Sequence, residues 1–210
     1  LSDEVACPAN CATATVMAAL RRAGDCHGGT VVILGAGMLG LTAAAAARTR
    51  GAQRVILADV DERRLELGRG FGADDTICVA DGFARLQTAV RQATAGHGAD
   101  TVLEMSGARS AVEASLELCR IGGAVIWVGA VFPADPIPLE AENVVRRLLR
   151  IEGIHNYTPQ DLAAALDFLA TAHAQYDFAR LVEATYALDT ADAAFRYAIE
   201  HRPIRLAIRP

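Results

Sequence analysis

The chain contains no lysine: all 20 basic residues among its 210 are arginine. A lysine Schiff base and a lysine general base are therefore excluded within these residues. Aromatic residues make up 5% of the chain, with Trp127 the single tryptophan. No apolar run approaches the roughly 20 residues needed to span a bilayer, so no membrane partner is expected. The five cysteines (Cys7, Cys11, Cys26, Cys78, Cys119) form no Cys-x-x-Cys pair, and their odd number argues for free thiols. The five histidines show neither an i, i+4 pair nor His-Glu-x-x-His. Net charge is −5 and the arginines are scattered, which argues against a nucleic-acid surface. No signal-peptide pattern opens the chain, so a cytoplasmic protein is expected. The first residue is Leu1 rather than Met, and a fragment of a longer protein is the expectation. Asn156-Tyr157-Thr158 matches a glycosylation sequon and reads as chance without a secretion signal. With 52% hydrophobic and 21% charged residues, the composition fits one large domain, or one domain plus part of another.

What is present is concentrated in one stretch. Thr30-Val31-Val32-Ile33-Leu34 is an apolar run, followed directly by Gly35-Ala36-Gly37-Met38-Leu39-Gly40 and an alanine-rich helical segment. A second strand-like run, Val55-Ile56-Leu57-Ala58, ends in Asp59, 19 residues after Gly40. This is the dinucleotide-binding fingerprint in its full βαβ context. Gly35 permits the tight turn, Gly37 lets the backbone approach a pyrophosphate, and Gly40 lets the helix pack against the strand. The helix start, at Met38 and Leu39, offers free N–H groups and a positive dipole end to phosphates. Asp59 can accept both ribose hydroxyls. Arg63 and Arg64 raise the possibility of a 2′-phosphate, but Asp59 would repel that group, so NAD is favoured over NADP.

The rest of the chain continues the alternation. Helices are predicted over Asn10–Ala23, Met38–Arg50, Asp61–Arg69, Gly82–Ala93, Arg109–Cys119, Leu139–Leu148 and Pro159–Ala174. Strands are predicted over Thr30–Leu34, Arg54–Asp59, Thr76–Val79, Thr101–Met105, Ala124–Gly129 and Arg150–Ile154. Continuous apolar strands between helices indicate a parallel sheet covered on both faces. The expected fold is α/β, a Rossmann doubly wound parallel sheet of about six strands in the order 3-2-1-4-5-6. Residues 1–180 would form this domain with its leading helix. Residues 181–210 read as a separate strand–helix–strand segment that exposes apolar surface where it meets another domain.

The glycine fingerprint, Asp59, Gly72-Ala73-Asp74, Gly98-Ala99-Asp100, Gly122-Gly123 and Pro203-Ile204-Arg205 occur in one order. That order resembles the nucleotide-binding part of the medium-chain, zinc-type alcohol dehydrogenases. Asn10-Cys11-Ala12-Thr13-Ala14-Thr15 and Gly153-Ile154-His155-Asn156-Tyr157 look like the subgroup associated with phosphonate metabolism. The resemblance implies an NAD-dependent oxidoreductase that interconverts a small alcohol and an aldehyde or ketone by hydride transfer, with zinc as Lewis acid in the complete enzyme. It implies that the family's GroES-like catalytic domain, which supplies most zinc ligands and the proton relay, is not represented here, and that residues 181–210 return to it. It assigns Cys11 as one zinc ligand. It places Thr15 behind the nicotinamide, Arg64 beside the adenosine ribose, Met105 and Ser106 along the cleft, Gly129 and Ala130 at the carboxamide, and Arg205 at the pyrophosphate. A homodimer joined through the sheet edge at Arg150–Ile154 is implied as well.

Several residues have plainer readings. Cys11 alone reads as a small buried hydrophobe, and one thiolate cannot hold a catalytic zinc, which needs about three protein ligands. Cys26, Cys78 and Cys119 read as core or surface thiols, Glu104 as structural, and Trp127 as core. Asp61 reads as a helix-start acid. His155 follows the sixth strand, near where a nicotinamide ring would lie. Two other functions stay open: a module that binds NAD(H) without turnover, and a methyltransferase, which also uses a Gly-rich turn and a strand-two acid.

Overall fold

A computed structural model describes residues 1–210. The chain starts with a short helix α1 (Asp3–Ala6), a π-helical turn Ala9–Thr13 and helix α2 (Ala14–Ala23). The sequence predicted one helix from Asn10; the structure makes its first turn π-helical, an arrangement found often at functional sites. Six strands and their crossover helices follow: β1 (Thr30–Leu34), α3 (Met38–Thr49), β2 (Arg54–Asp59), α4 (Glu62–Gly68), β3 (Asp75–Cys78), α5 (Ala84–Ala93), β4 (Ala99–Glu104), α6 (Arg109–Leu118), β5 (Cys119–Trp127), α7 (Ala141–Arg146), β6 (Arg150–Gly153) and α8 (Pro159–Ala172). All pairings in this sheet are parallel and the strand order is β3-β2-β1-β4-β5-β6, as expected.

Alternation within each strand sorts its side chains between two cores. Val31, Ile33 and Leu57 face the layer containing α2, α3 and α8, while Val32, Leu34 and Ile56 face α5 and α6. Every β1 side chain is buried, which explains why the strand reads as an unbroken apolar run. Ala43 to Ala47 of α3 are fully buried; their small side chains let this helix lie close to the sheet. The long helix α8 begins with a capping box between Thr158 and Asp161 and docks on α2 through Arg21.

Strand β5 starts five residues earlier than the predicted Ala124. The predicted strand leaves out Gly122 and Gly123, but they sit in a bulged strand, with a register shift between Ala99 and Thr101. A Cβ on Gly123 would stand 2.5 Å from the Cys119 Sγ and 3.0 Å from the Asp100 carbonyl oxygen. Glycine is used there for close approach, and the ladder with β4, broken after Cys119, resumes at Ala124.

After α8 the chain forms β7 (Val182–Ala187), α9 (Ala191–His201) and β8 (Arg205–Arg209), with β7 and β8 paired parallel in a sheet of their own. β7 alternates half-buried and exposed residues along its length, unlike the buried strands of the main sheet. Leu188, Phe195 and Ile199 are exposed.

Candidate functional site

The site follows from the strand order. The strand order reverses between β1 and β4, which are parallel neighbours in the sheet but lead to crossovers on opposite sides. The loops leaving their carboxyl ends separate there and open a crevice, where ligands bind in such sheets.

The turn after β1 is built as the fingerprint demands. Gly35 has φ +108°, and its N–H donates to the Ala58 carbonyl at 2.7 Å. A Cβ on Gly40 would overlap the Gly35 carbonyl oxygen, so helix α3 can begin this close to β1 only with glycine there. Gly37 is the N-cap of α3 and no side chain caps the helix, which leaves first-turn N–H groups for a ligand. A Cβ on Gly37 would meet nothing nearer than the Arg64 guanidinium at 3.9 Å.

Asp59 closes the far side of this turn. Its Oδ2 accepts from the Ala36 N–H at 2.5 Å and its Oδ1 from the Asp61 N–H at 2.8 Å. With Gly35 and Ser106 it lines a small cleft of about 110 Å³. Asp61 caps α4, as its reading as a helix-start acid requires, and is gripped by Arg63 at 3.0 Å. That guanidinium holds the Asp61 carboxyl below its ordinary range. Arg64 donates to the Arg202 carbonyl at 2.9 Å and lines a neighbouring polar recess of about 300 Å³.

On the other side of the turn lies a larger cleft of about 460 Å³. Cys11 and Thr15 enter it from the π-turn and α2, Met38 and Leu39 from the start of α3, Met105 and Gly129 from the ends of β4 and β5, and Arg205 from β8. Arg205 Nη1 is buried and has no hydrogen-bond partner, so an anionic group in the cleft would meet a ready donor. The residues anticipated for one cleft are thus divided. Met105 faces the large cleft and Ser106 the small one, while Ala130 lines none of the three. His155 also lines the large cleft, as its position after the sixth strand anticipates. Sequence reasoning missed Val128, Val131, Ile154 and Asn156 as lining residues. Each lies in the first few residues after β5 or β6, a positional signal that carries no distinctive residue type.

The unfilled Gly37 approach, the uncapped helix start, Asp59 and the unpartnered Arg205 nitrogen all fit a bound dinucleotide. Zinc does not fit within these residues. Cys11 is exposed, and no group of three or more His, Cys, Asp and Glu side chains is placed to hold a metal.

Comparison with known proteins agrees with this architecture. Residues 39–171 match the family model described as zinc-binding dehydrogenase. The putative D-xylulose reductase of Rhizobium meliloti is 34% identical over 194 residues, covering 92% of this chain and 54% of that protein. Among solved structures, the alcohol dehydrogenase of Thermotoga maritima superposes with a TM-score of 0.92 at 28% identity, covering 100% of this chain and 59% of its own. A putative zinc-binding dehydrogenase from Sinorhizobium meliloti bound to NADP has a TM-score of 0.78 at 27% identity, with 88% of this chain and 53% of its own covered. The chain spans about half the length of the curated relatives it matches. By its motif order, its sheet and these matches, the chain belongs to the zinc-binding dehydrogenase family and corresponds to the nucleotide-binding Rossmann part of the zinc-type alcohol dehydrogenases.

Proposed function

We propose that this chain holds the cofactor of an NAD-dependent oxidoreductase that interconverts a small-molecule alcohol and its aldehyde or ketone. The observation that carries the reading is Asp59: its carboxylate is fixed beside the glycine turn by the Ala36 and Asp61 amides. The nicotinamide ring would accept or donate a hydride. The chain's own residues would bind and orient the cofactor. Asp59 accepts from the ribose hydroxyls and disfavours a 2′-phosphate, with Arg64 beside it. Gly35, Gly37 and Gly40 let the backbone approach the pyrophosphate, which Arg205 neutralises. Thr15, Met105 and Gly129 flank the nicotinamide end, and the cleft's apolar lining excludes water there.

A relative bound to NADP makes cofactor choice a matter for measurement. NADH titrated against the chain by fluorescence should bind at least about tenfold more tightly than NADPH, the scale of one charge-assisted contact. Equal affinities would overturn the NAD assignment, and no binding of either would overturn the cofactor role.

The resemblance gives Cys11 to zinc in a complete enzyme. The lone thiol does not form that site, and the proposal stands on the dinucleotide cleft. The same thiol favours a second reading, a module that binds NAD(H) without turnover, which alcohol oxidation by the 210-residue chain would rule out. Residues 181–210 would pack on a further domain through Leu188, Phe195 and Ile199, which are exposed here. β6 is an edge of the main sheet and is where a second copy would pair. A monomeric mass at micromolar concentration would count against that dimer.

A further inference from the structure

Glu104 is fully buried at the carboxyl end of β4, with Leu34 of β1 beside it on one side and Trp127 of β5 on the other. Its side-chain Oε1 accepts three hydrogen bonds: from the Ser106 N–H at 2.7 Å, the Ser106 hydroxyl at 2.6 Å and the Gly107 N–H at 2.8 Å. Its main-chain carbonyl accepts from the Val128 N–H at 2.9 Å and the Gly129 N–H at 3.1 Å. One residue therefore ties down both loops at the centre of the sheet. The arrangement is costly, because Oε2 is also buried and has no partner. Packing alone does not require it: Val102, two residues earlier on the same face, is an apolar residue in the same core.

What the three donors fix is the floor of the crevice. Ser106 lies where Gly35 leaves room, and a Cβ on Gly35 would stand 3.1 Å from the Ser106 nitrogen. Met105 faces the large cleft and Ser106 the small one, so the loop held by Glu104 borders both ends of the proposed dinucleotide site. We infer that Glu104 is a positioning residue for the dinucleotide, holding the 105–107 and 128–129 loops in the geometry that accepts it before it arrives. The inference rests on the cofactor reading above. A site held in place in advance loses less ordering entropy on binding.

The test compares four variants of the 210-residue chain, reading NADH affinity by fluorescence and stability by thermal melting. Glu104→Leu removes the acceptors and keeps the bulk; it should weaken NADH about tenfold. Glu104→Gln keeps a carbonyl oxygen for the loop and should stay within about threefold of the parent. Ser106→Ala removes one donor and should weaken NADH by about two- to fivefold, which keeps the inference testable if Glu104→Leu does not fold. Leu86→Ala, in the same core but on α5, should lower the melting temperature and leave NADH affinity within about twofold. Parent-like binding by both Glu104→Leu and Ser106→Ala would overturn the inference. So would a loss of affinity in Leu86→Ala as large as theirs, since that would make the effect one of general stability. If the parent itself fails to bind NADH, the cofactor reading falls; if only the variants behave otherwise than expected, this inference falls alone.

Discussion

The main chains of Gly107 and Gly129 are in contact. A Cβ on Gly107 would overlap the Gly129 carbonyl oxygen, and one on Gly129 would stand 2.6 Å from the Ser106 nitrogen. Gly107 also has φ +74°. The loops leaving β4 and β5 can lie side by side only because neither carries a side chain at this point. Gly129→Ala should force them apart, costing about 2 kcal/mol of stability, in the range for overpacking a rigid site. Urea denaturation followed by circular dichroism reads this, and a midpoint equal to the parent's would contradict it. NADH affinity should fall in the same variant, because Gly129 lines the large cleft.

Asp59→Gly addresses the cofactor more directly. On the proposed reading, removing the carboxylate would take away the acceptor for the ribose hydroxyls and the charge that opposes a 2′-phosphate. NADH should bind about tenfold more weakly, while NADPH binding should hold or improve. The ratio of the two affinities is the decisive quantity. If it does not move, Asp59 does not select the cofactor.

How much of this was legible in the sequence depended on whether the signal was local. The β1–α3–β2 unit was read almost to the residue, because burial on both faces makes its strands uniformly apolar and Gly40 answers to a contact five residues away, at Gly35. Gly107 and Glu104 were not recognised as parts of the site. Their partners are Gly129, on the loop that leaves the neighbouring strand β5, and an amide pair whose conformation appears only once the loop is folded. β5 was shortened because Gly122-Gly123 is a loop signal on its own, and the neighbour that makes it a bulged strand, Ala99–Asp100, lies on β4. The π-helical turn beneath Cys11 left no compositional mark either.

The pairing of α2 with α8 gives the fold an acid-sensitive joint. Arg21 donates to Asp161 at 2.7 Å and 3.0 Å, and Thr158 donates to the same carboxyl. The Arg21 guanidinium, with the Thr158 contacts, holds Asp161 well below the usual carboxylate range although burial opposes it. A depressed folded-state pKa means the stabilisation is complete above the unfolded value near pH 4 and is lost as pH falls below it. Asp161→Ala should lower stability at pH 7 by on the order of 1 kcal/mol, mainly through the lost cap, since Arg21 is largely solvated. The difference between parent and variant should shrink below about pH 4. A constant difference from pH 7 to pH 3 would show that the pair contributes nothing that titrates.

The cysteines should divide by exposure. Cys7 and Cys11 are exposed, while Cys26 and Cys119 are buried. Burial raises both buried thiols, Cys119 to about 11, so neither is a thiolate at pH 8. Brief iodoacetamide treatment followed by peptide mass spectrometry should find label on Cys7 and Cys11 and little on the other two. Bound NADH should slow labelling of Cys11, which lines the large cleft, more than that of Cys7. Equal protection of both would place the cofactor elsewhere.

Arg205 separates binding from folding more cleanly than any other residue in the cleft. Its Nη1 is buried without a partner, so the free protein bears the desolvation of a donor that nothing satisfies. Arg205→Leu removes that burden and keeps an apolar stem against the cleft wall. The variant should melt at the same temperature as the parent or above it, yet bind NADH about tenfold more weakly, because the proposed pyrophosphate site would lose its cation. The salt dependence of NADH binding should flatten in parallel, since the proposed phosphate contact would be gone. Glu104→Leu is expected to lower both stability and affinity, and Arg205→Leu to move them in opposite directions. A loss of melting temperature in Arg205→Leu would mean the side chain braces β8 in the free protein, and an unchanged NADH affinity would remove it from the pyrophosphate site.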